Sequence, residues 1–326
     1  MWHRDRHSTA RGAPNGNTLH RLQDVGRNQG AAGTRLIITP TEPVTPHYRG
    51  RFAPSPTGPL HAGSLVAALA SFLDARHHRG SWALRIDDID PLRQVDGSVE
   101  HITFALQKHG LEWDGPVTYQ SLESDRFEHA LYQLSQAGCL FRCRCTRATL
   151  SVHGTCGQDC ASREVTTYEP HSLRVRFDTA HNYEFDDRFL GPQLLESRAV
   201  PRDFIVKRRD GLYAYQLAAA VGDAQPQFNS IVRGADLLDS TYRQRWLQQV
   251  LGLEPPHYAH VTLVNNALGN KLSKQTGAAA LEVDFAAQNL RSALSHLKQT
   301  PPPESATTVM DILEHSTEHW SLPVGN

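Results

Sequence analysis

The fold is decided by the stretch Arg51-Phe52-Ala53-Pro54-Ser55-Pro56-Thr57-Gly58-Pro59-Leu60-His61-Ala62-Gly63-Ser64. It begins within a short apolar strand, Tyr48 to Ala53, crosses a turn rich in proline and glycine, and enters a helical pattern that reaches about His78. Gly80 ends that pattern, and an apolar strand from Trp82 to Ile86 follows. Strand, turn, helix and strand in this order predict a parallel sheet covered by helices.

The same alternation of strands and helices continues along the chain and is interrupted once. Helical patterns run over about 96–109 and 124–137, and strands alternate with helices again from Asp203. The cysteine-rich segment 143–202 lies between them. Within it, residues 173–177 alternate apolar side chains with arginines, a period of two that predicts a half-exposed antiparallel strand. We therefore interpret this segment as an insertion into an α/β domain.

Bulk composition restricts the class of protein. With 326 residues and 39% hydrophobic content the chain can bury a large core, so disorder of the whole chain is excluded. No apolar run is long enough to span a bilayer and the start lacks a secretory signal, so we expect a cytoplasmic protein without membrane contact. The formal net charge of −1 provides no overall attraction for a polyanion, so a nucleic acid would have to bind a local basic face.

These patterns divide the chain into five predicted segments. The first lacks any helical or strand period and is expected to be a disordered extension. The segments are the extension (1–46), the first half of an α/β domain (47–142), the cysteine-rich insertion (143–202), the second half of the α/β domain (203–262) and a loop with a C-terminal region (263–326).

The start of the first helix is a candidate phosphate site. In an α/β sheet, free backbone N–H groups and the positive end of the helix dipole face the crevice at the strand ends. His61 can donate to a phosphoryl oxygen, and Gly63 permits close approach of a nucleotide because it has no side chain. A histidine near a helix start is also a common structural feature, so its neighbours must decide its role.

Those neighbours resemble the signatures of class I glutamyl-tRNA synthetases. The opening stretch is similar to their first signature, with His61-Ala62-Gly63-Ser64 at the place of His-Ile-Gly-His. Lys271-Leu272-Ser273-Lys274-Gln275 resembles their Lys-Met-Ser-Lys-Ser loop, and Arg233-Gly234-Ala235-Asp236 lies between the two. The resemblance covers 47 to about 280 and implies a class I Rossmann-like α/β fold. We expect a short form with a small C-terminal α-helical region and no anticodon-binding domain.

The resemblance implies that L-glutamate is activated with ATP and Mg²⁺. Attack of a carboxylate on the α-phosphorus needs no side-chain nucleophile, so catalysis consists of positioning and charge stabilisation. His61 and Lys274 are the predicted catalytic residues. The predicted ATP contacts are His61, Gly63, Ser64, Lys271, Ser273 and Lys274.

Selection of glutamate requires cations for its carboxylates, and guanidinium groups bind carboxylates bidentately. The positions that match the family's glutamate contacts are Arg51, Phe52, Ala53, Pro54, Ser55, Asp87, Tyr215 and Arg233. Close relatives carry glutamate where this chain has Asp87, which is one methylene shorter. The run 227–230 also departs from the family pattern.

Four cysteines within eighteen positions predict a structural zinc site. Thiolates favour a closed tetrahedral arrangement around Zn²⁺, and nearby glycines allow sharp turns. The predicted ligands are Cys143, Cys145, Cys156 and Cys160. Related chains often have tyrosine where Cys156 stands, His153 is a substitute ligand, and Cys139 is assigned to the core. The insertion also carries a candidate nucleic-acid face, for which an ordinary solvated strand face is the alternative: Arg142, Arg144, Arg147, Arg174 and Arg176.

The resemblance to the short form of the family implies transfer of glutamate to the queuosine base in the anticodon of tRNA(Asp). The expected partners are L-glutamate, ATP and queuosine-bearing tRNA(Asp), and the expected state is a monomer. One alternative is a truncated conventional glutamyl-tRNA synthetase that charges a 3′ terminus. Others are a catalytically silent zinc protein that binds RNA and a nucleotidyltransferase that accepts another acid.

Overall fold

The structure is a computed structural model that describes residues 47–151, 154–156, 160–162, 165–177, 180–264 and 279–322. The predicted extension at 1–46 lies outside the described residues. So do His153 and the loop that carries Lys271, Ser273 and Lys274. None of the described helices is long and apolar enough to cross a bilayer.

The described part of the chain confirms the predicted mixed α/β class. The strands are β1 Arg49–Phe52, β2 Ser81–Ile86, β3 Thr118–Tyr119, β4 Leu140–Cys143, β5 Ser172–Arg176, β6 Tyr183–Asp187, β7 Gly191–Leu195, β8 Asp203–Lys207, β9 Ser230–Gly234 and β10 His257–Val261. The helices are α1 Ala62–His77, α2 Ser98–Lys108, α3 Ser124–Gln136, α4 Tyr215–Gly222, α5 Leu238–Val250, α6 Ala286–His296 and α7 Val309–Glu318.

Parallel strands form the centre of the fold. β1, β2 and β3 lie side by side in that order, and β9 pairs with β10. Asn229 joins the two groups, because its backbone N–H donates to the Arg49 carbonyl at 3.0 Å and its side-chain oxygen accepts from the Arg49 N–H at 2.8 Å. The strand order is therefore β3-β2-β1-β9-β10. The direction of chain progression reverses between β1 and β9, which is where open α/β sheets form a ligand crevice.

Helix α1 is held inside the fold. Leu65, Leu69 and Leu73 are at most 2% exposed, and the helix contacts the sheet as well as α6 and α7. Each fully buried leucine contributes about 1.5–3 kcal/mol relative to an exposed one. After α1 the chain turns at Gly80, where a Cβ atom would lie 2.5 Å from the Tyr48 carbonyl oxygen. Glycine is therefore required for the return into β2.

A buried carboxylate links distant parts of the chain. Asp74 of α1 accepts hydrogen bonds from the Tyr48 hydroxyl at 2.5 Å, from Arg188 at 2.7 and 3.0 Å and from the Trp320 indole at 3.2 Å. These donors come from before β1, after β6 and after α7. Asp74 thus fixes α1 to the first strand, to the inserted segment and to the end of the described chain.

The segment after Gln299 contains α7, within the small α-helical C-terminal region that the family resemblance implies. Thr308 and Asp311 form a capping box at the start of this helix, which buries Ile312 and Leu313.

The cysteine-rich segment contributes to two sheets. β4, β5 and β8 form an antiparallel sheet, whereas the β6–β7 hairpin joins the sheet of β9 and β10 through parallel pairing of Asp187 with Tyr258. The hairpin places Asp187 beside Tyr258, the second residue of β10, and the Asp187 carboxylate reaches the backbone N–H of His260. The predicted division into domains stays a prediction.

Candidate active site

A cavity of about 220 Å³ lies at the crevice between β1 and β9. It is lined by the start of α1 and by the ends of β9 and β10. Its residues are His61, Gly63, Ser64, Ala67, Gly234, Asp236, Val261, Thr262, Leu263 and Val264. The structure therefore brings together the first signature and the Arg233-Gly234-Ala235-Asp236 run, 170 positions apart in the chain.

The imidazole of His61 caps α1. Its Nδ1 accepts a hydrogen bond from the Ser64 N–H at 3.3 Å, so the proton of the neutral ring lies on Nε2. The first turn of α1 directs further backbone N–H groups toward the cavity, where an anion is favoured by the helix dipole. This geometry is suited to a phosphate group.

A second cavity, of about 380 Å³, is lined in part by Ser55, Asp87 and Tyr215. Of the other predicted glutamate contacts, Phe52 turns its side chain into the core, where it stacks on Trp82 at 6.4 Å. The carbonyl of Pro54 accepts from the Asp87 N–H at 3.0 Å, which ties the loop after β1 to the end of β2.

Beside this cavity lies a buried cluster of charges. Arg51 binds Asp223 through two hydrogen bonds of 2.7 and 3.2 Å, and Arg85 binds Asp87 through two of 2.6 and 3.2 Å. Arg85 also donates to Asp223 at 2.8 Å, and Arg233 lies 4.0 Å from the same carboxylate. Three guanidinium groups against two carboxylates leave a formal charge of 3 − 2 = +1. A buried positive surplus favours an anionic ligand.

The cluster shifts the titration of both carboxylates. Burial raises the pKa of Asp223, but the guanidinium groups of Arg51 and Arg85 outweigh it and hold this pKa well below the usual range. Burial raises the pKa of Asp87, and Arg85 offsets only part of that effect. Asp223 is therefore the fixed counter-ion of the cluster.

Arg233 is held mainly by neutral groups. Its Nε donates to His260 Nε2 at 3.1 Å, and its Nη2 donates to Thr241 at 2.7 Å and to Gln244 at 2.8 Å. Its Nη1 lies 3.4 Å from the Tyr215 hydroxyl. These contacts fix the plane of the guanidinium without neutralising it.

The structure brings Arg51, Asp87, Tyr215 and Arg233 close together, and their roles as glutamate contacts stay a prediction. Sequence reasoning missed Arg85, Asp223 and His260. Arg85 and Asp87 are two positions apart on a strand and so share a face, which was a usable signal. Asp223 follows an apolar helix at the end where the dipole disfavours a negative charge, which was a second signal.

The four predicted cysteine ligands form a compact cluster. All four sulfur atoms lie within 4.8 Å of one another, with Cys145 at 3.6 Å from Cys156 and 3.9 Å from Cys160. Tetrahedral thiolates around Zn²⁺ at about 2.3 Å are separated by about 3.8 Å, whereas a disulfide bond measures about 2.05 Å. The cluster therefore fits a tetrahedral metal ion, and these cysteines are not disulfide-bonded.

The assignment of Arg174 to an exposed nucleic-acid face was wrong. Arg174 is 1% exposed, and it donates to Asp203 and to the Gly154 carbonyl. Asp203 in turn accepts from the Cys156 N–H. Leu173, Val175 and Phe177 still face one core, so the period of two holds. Arg174 is buried because Gly154 and Asp203 cover the opposite face of the strand, where the arginine supports the cysteine cluster.

Comparisons with known proteins agree with this geometry. The family model described as "tRNA synthetases class I (E and Q), catalytic domain" matches residues 47–294. A glutamyl-Q tRNA(Asp) synthetase from Dechloromonas aromatica is 45% identical over 290 residues, which are 84% of this chain and 94% of that protein. One from Burkholderia cenocepacia is 45% identical over 297 residues, 86% of this chain and 99% of that protein.

A solved structure shows the same fold. A glutamate tRNA ligase from Elizabethkingia meningosepticum, in complex with its amino acid, superposes with a TM-score of 0.69 at 22% identity and covers 85% of this chain and 66% of that chain. The chain therefore belongs to the class I tRNA synthetases for glutamate and glutamine, a family of ATP-dependent ligases, and groups within it with the glutamyl-Q tRNA(Asp) synthetases.

Proposed function

We propose that this enzyme activates L-glutamate with ATP without the help of tRNA, and then transfers the glutamyl group to the queuosine base in the anticodon of tRNA(Asp). The observation that carries the proposal is the buried cluster with a surplus of one positive charge beside a cavity that fits a small acid. The names of the relatives support the choice of acceptor.

In the first step, ATP in the smaller cavity reacts with glutamate in the larger one. The α-carboxylate of glutamate attacks the α-phosphorus of ATP, which forms glutamyl-adenylate and releases pyrophosphate. The start of α1, with His61, Gly63 and Ser64, binds the nucleotide phosphates. Lys271, Ser273 and Lys274 belong to a loop outside the described residues, and we assign to Lys274 the stabilisation of the charge on the departing pyrophosphate. Mg²⁺ enters with ATP.

The glutamate contacts follow from charge and position. Arg51 and Arg233 bind carboxylate groups, and Asp87 accepts from the α-ammonium. Ser55 and Tyr215 line the wall of the cavity. Phe52, Ala53 and Pro54 contribute through the backbone. Because aspartate is shorter than glutamate at position 87, the contact with the ammonium is either direct in a tighter cavity or bridged by water.

We assign Zn²⁺ to Cys143, Cys145, Cys156 and Cys160. Their sulfur spacing supports a closed four-thiolate shell. Such a shell provides no open position for a substrate, so the metal's role is to hold the inserted segment in shape. The protein acts as a monomer in the cytoplasm under this proposal.

Glutamate-dependent ATP–pyrophosphate exchange, measured without tRNA, tests the activation step. Glutamine and aspartate are the controls, and a preference for either would refute the assignment of the acid. A second assay transfers labelled glutamate to tRNA(Asp) with and without queuosine. Labelling of queuosine-free tRNA at its 3′ end would instead identify a truncated conventional glutamyl-tRNA synthetase, and absence of exchange would favour a silent zinc protein that binds RNA.

A further inference from the structure

Asp187 and His260 form a buried pair that lies outside the predicted glutamate contacts. His260 Nδ1 lies 2.6 Å from Asp187 Oδ2, and both side chains are fully buried. The other oxygen of Asp187 accepts from the backbone N–H groups of Phe189 at 3.0 Å, Leu190 at 2.8 Å and His260 at 3.1 Å. The orientation of this carboxylate is thus fixed on both sides.

These contacts determine where the proton of His260 resides. Asp187 is an acceptor, because its pKa is lowered from the usual value: burial raises it, but the hydrogen bond from His260 prevails. His260 Nδ1 must therefore donate. On the other side of the ring, Arg233 Nε can only donate, so His260 Nε2, at 3.1 Å, must accept. The ring is neutral, with its proton on Nδ1.

The neutrality of His260 distinguishes Arg233 from the other two arginines of the cluster. Arg51 and Arg85 each make a bidentate ion pair with a carboxylate. Within the described part of the chain, the only ion pair of Arg233 is the one to Asp223 at 4.0 Å. The surplus positive charge of the cluster is therefore carried mainly by Arg233. Its Nη1 partner, Tyr215, lines the larger cavity.

We propose that Asp187 and His260 are positioning residues for substrate binding, which fix the tautomer that holds Arg233 in place and leave its charge available for a carboxylate of the amino acid. This inference rests on the proposed function. It adds two residues to the site and explains why a histidine, instead of a carboxylate, holds this arginine. A carboxylate at that place would neutralise Arg233 and remove the attraction for the substrate.

The substitution Asp187→Asn tests the tautomer directly. Because three backbone N–H groups face one oxygen, the amide oxygen of the new side chain must take that place and its NH₂ group must face His260 Nδ1. The proton of the ring then moves to Nε2, so Nε2 can no longer accept the hydrogen bond from the N–H of Arg233. Asp186→Asn, on the same strand but exposed, is the matched control.

The KM values for glutamate and ATP should show whether Asp187 positions Arg233 or only stabilises the fold. For Asp187→Asn we expect the KM for glutamate to rise roughly ten- to hundredfold, as for loss of a hydrogen bond to a charged group, with the KM for ATP nearly unchanged. Equal increases in both KM values, or a glutamate KM that matches Asp186→Asn, would overturn the inference. If the wild-type protein lacks glutamate-dependent exchange, the proposed function fails instead.

A second pair of variants covers the case in which Asp187→Asn does not fold. His260→Gln retains an acceptor near the position of Nε2, whereas His260→Asn is too short to reach Arg233. We expect the glutamine variant to have a lower glutamate KM than the asparagine variant, and equal values would contradict the proposal. In the wild-type protein, ¹⁵N NMR of the imidazole should detect the proton on Nδ1 whether or not the protein is active. A proton on Nε2 would refute the proposal.

Discussion

Replacement of Asp223 by asparagine should lower both the stability of the protein and its affinity for glutamate, because Asp223 is the buried counter-ion of the arginine cluster. The change preserves the shape of the side chain but removes its charge, so the formal charge of the cluster rises from 3 − 2 = +1 to 3 − 1 = +2. One oxygen of Asp223 accepts from Arg51 Nε and Arg85 Nη1 and the other from Arg51 Nη2. The new NH₂ group must therefore face a donor whichever way it turns.

The size of the effect follows from burial. Removal of one partner from a buried ion pair typically costs about 3–5 kcal/mol. At about 2–4 °C per kcal/mol for a domain of 150–250 residues, the unfolding midpoint should fall by roughly 6–20 °C. The folded-state pKa of Asp223 lies below its unfolded value, about 3.9. Its contribution is therefore complete above about pH 5 and is lost progressively as pH falls below the unfolded pKa and then through the folded pKa.

Thermal unfolding of the wild type, Asp223→Asn and the exposed control Asp186→Asn between pH 4 and 8 measures this contribution. The difference between wild type and Asp223→Asn should be constant from about pH 5 to 8 and begin to narrow only toward pH 4. The glutamate KM should rise in parallel, because Arg51 loses the contact that orients it. An unfolding midpoint of Asp223→Asn equal to that of Asp186→Asn at pH 7 would refute the reasoning.

Three further predictions concern single positions. Lys274→Ala should reduce pyrophosphate exchange about a hundredfold to a thousandfold with an unchanged unfolding midpoint, and an undiminished rate would show that the loop is misassigned. Cys143→Ser should release about one zinc per chain in elemental analysis, and an intact protein that contains no zinc would refute the ligand set. Gly222→Ala would place a methyl group 2.8 Å from Arg85 Nη1. Because that guanidinium is fixed, we expect a loss of about 1–3 kcal/mol in the free energy of unfolding and a higher glutamate KM, and wild-type values for both would show that Arg85 can move.

The central strands and the first helix could be predicted because residues close together in the sequence determine where they begin and end. β1, β2 and α1 are apolar runs that end at turns and glycines, and their observed limits lie within a residue or two of the predicted ones. The small α-helical C-terminal region was expected from the family resemblance, but the bounds of α7 were not predicted, although the capping box of Thr308 and Asp311 marks its start.

The charge cluster could not be derived from local pattern. Arg85 and Asp223 are 138 positions apart, and a charged residue in a strand or at a helix end is usually solvated. Only the fold brings them together. The prediction for Arg174 was wrong for the related reason that Gly154 and Asp203, which are distant in the chain, cover its face of β5. Arg51 and Arg233 were named through the family resemblance, which carries information about tertiary contacts, and both lie in this cluster. Their roles as glutamate contacts stay a prediction.

Helix α1 packs across both β1 and β9, whereas the hydrogen bonds that join these two strands come from one residue in the described part of the chain. Asn229 supplies the contacts to Arg49, and among the described strands no ladder pairing continues from there toward the crevice. Reactants that bridge the crevice would add contacts between the two groups of strands. A ligand at a hundred times its Kd adds about 2.7 kcal/mol to the free energy of unfolding. Under the proposed function, storage buffers and crystallisation trials should therefore include glutamate and a non-hydrolysable nucleotide.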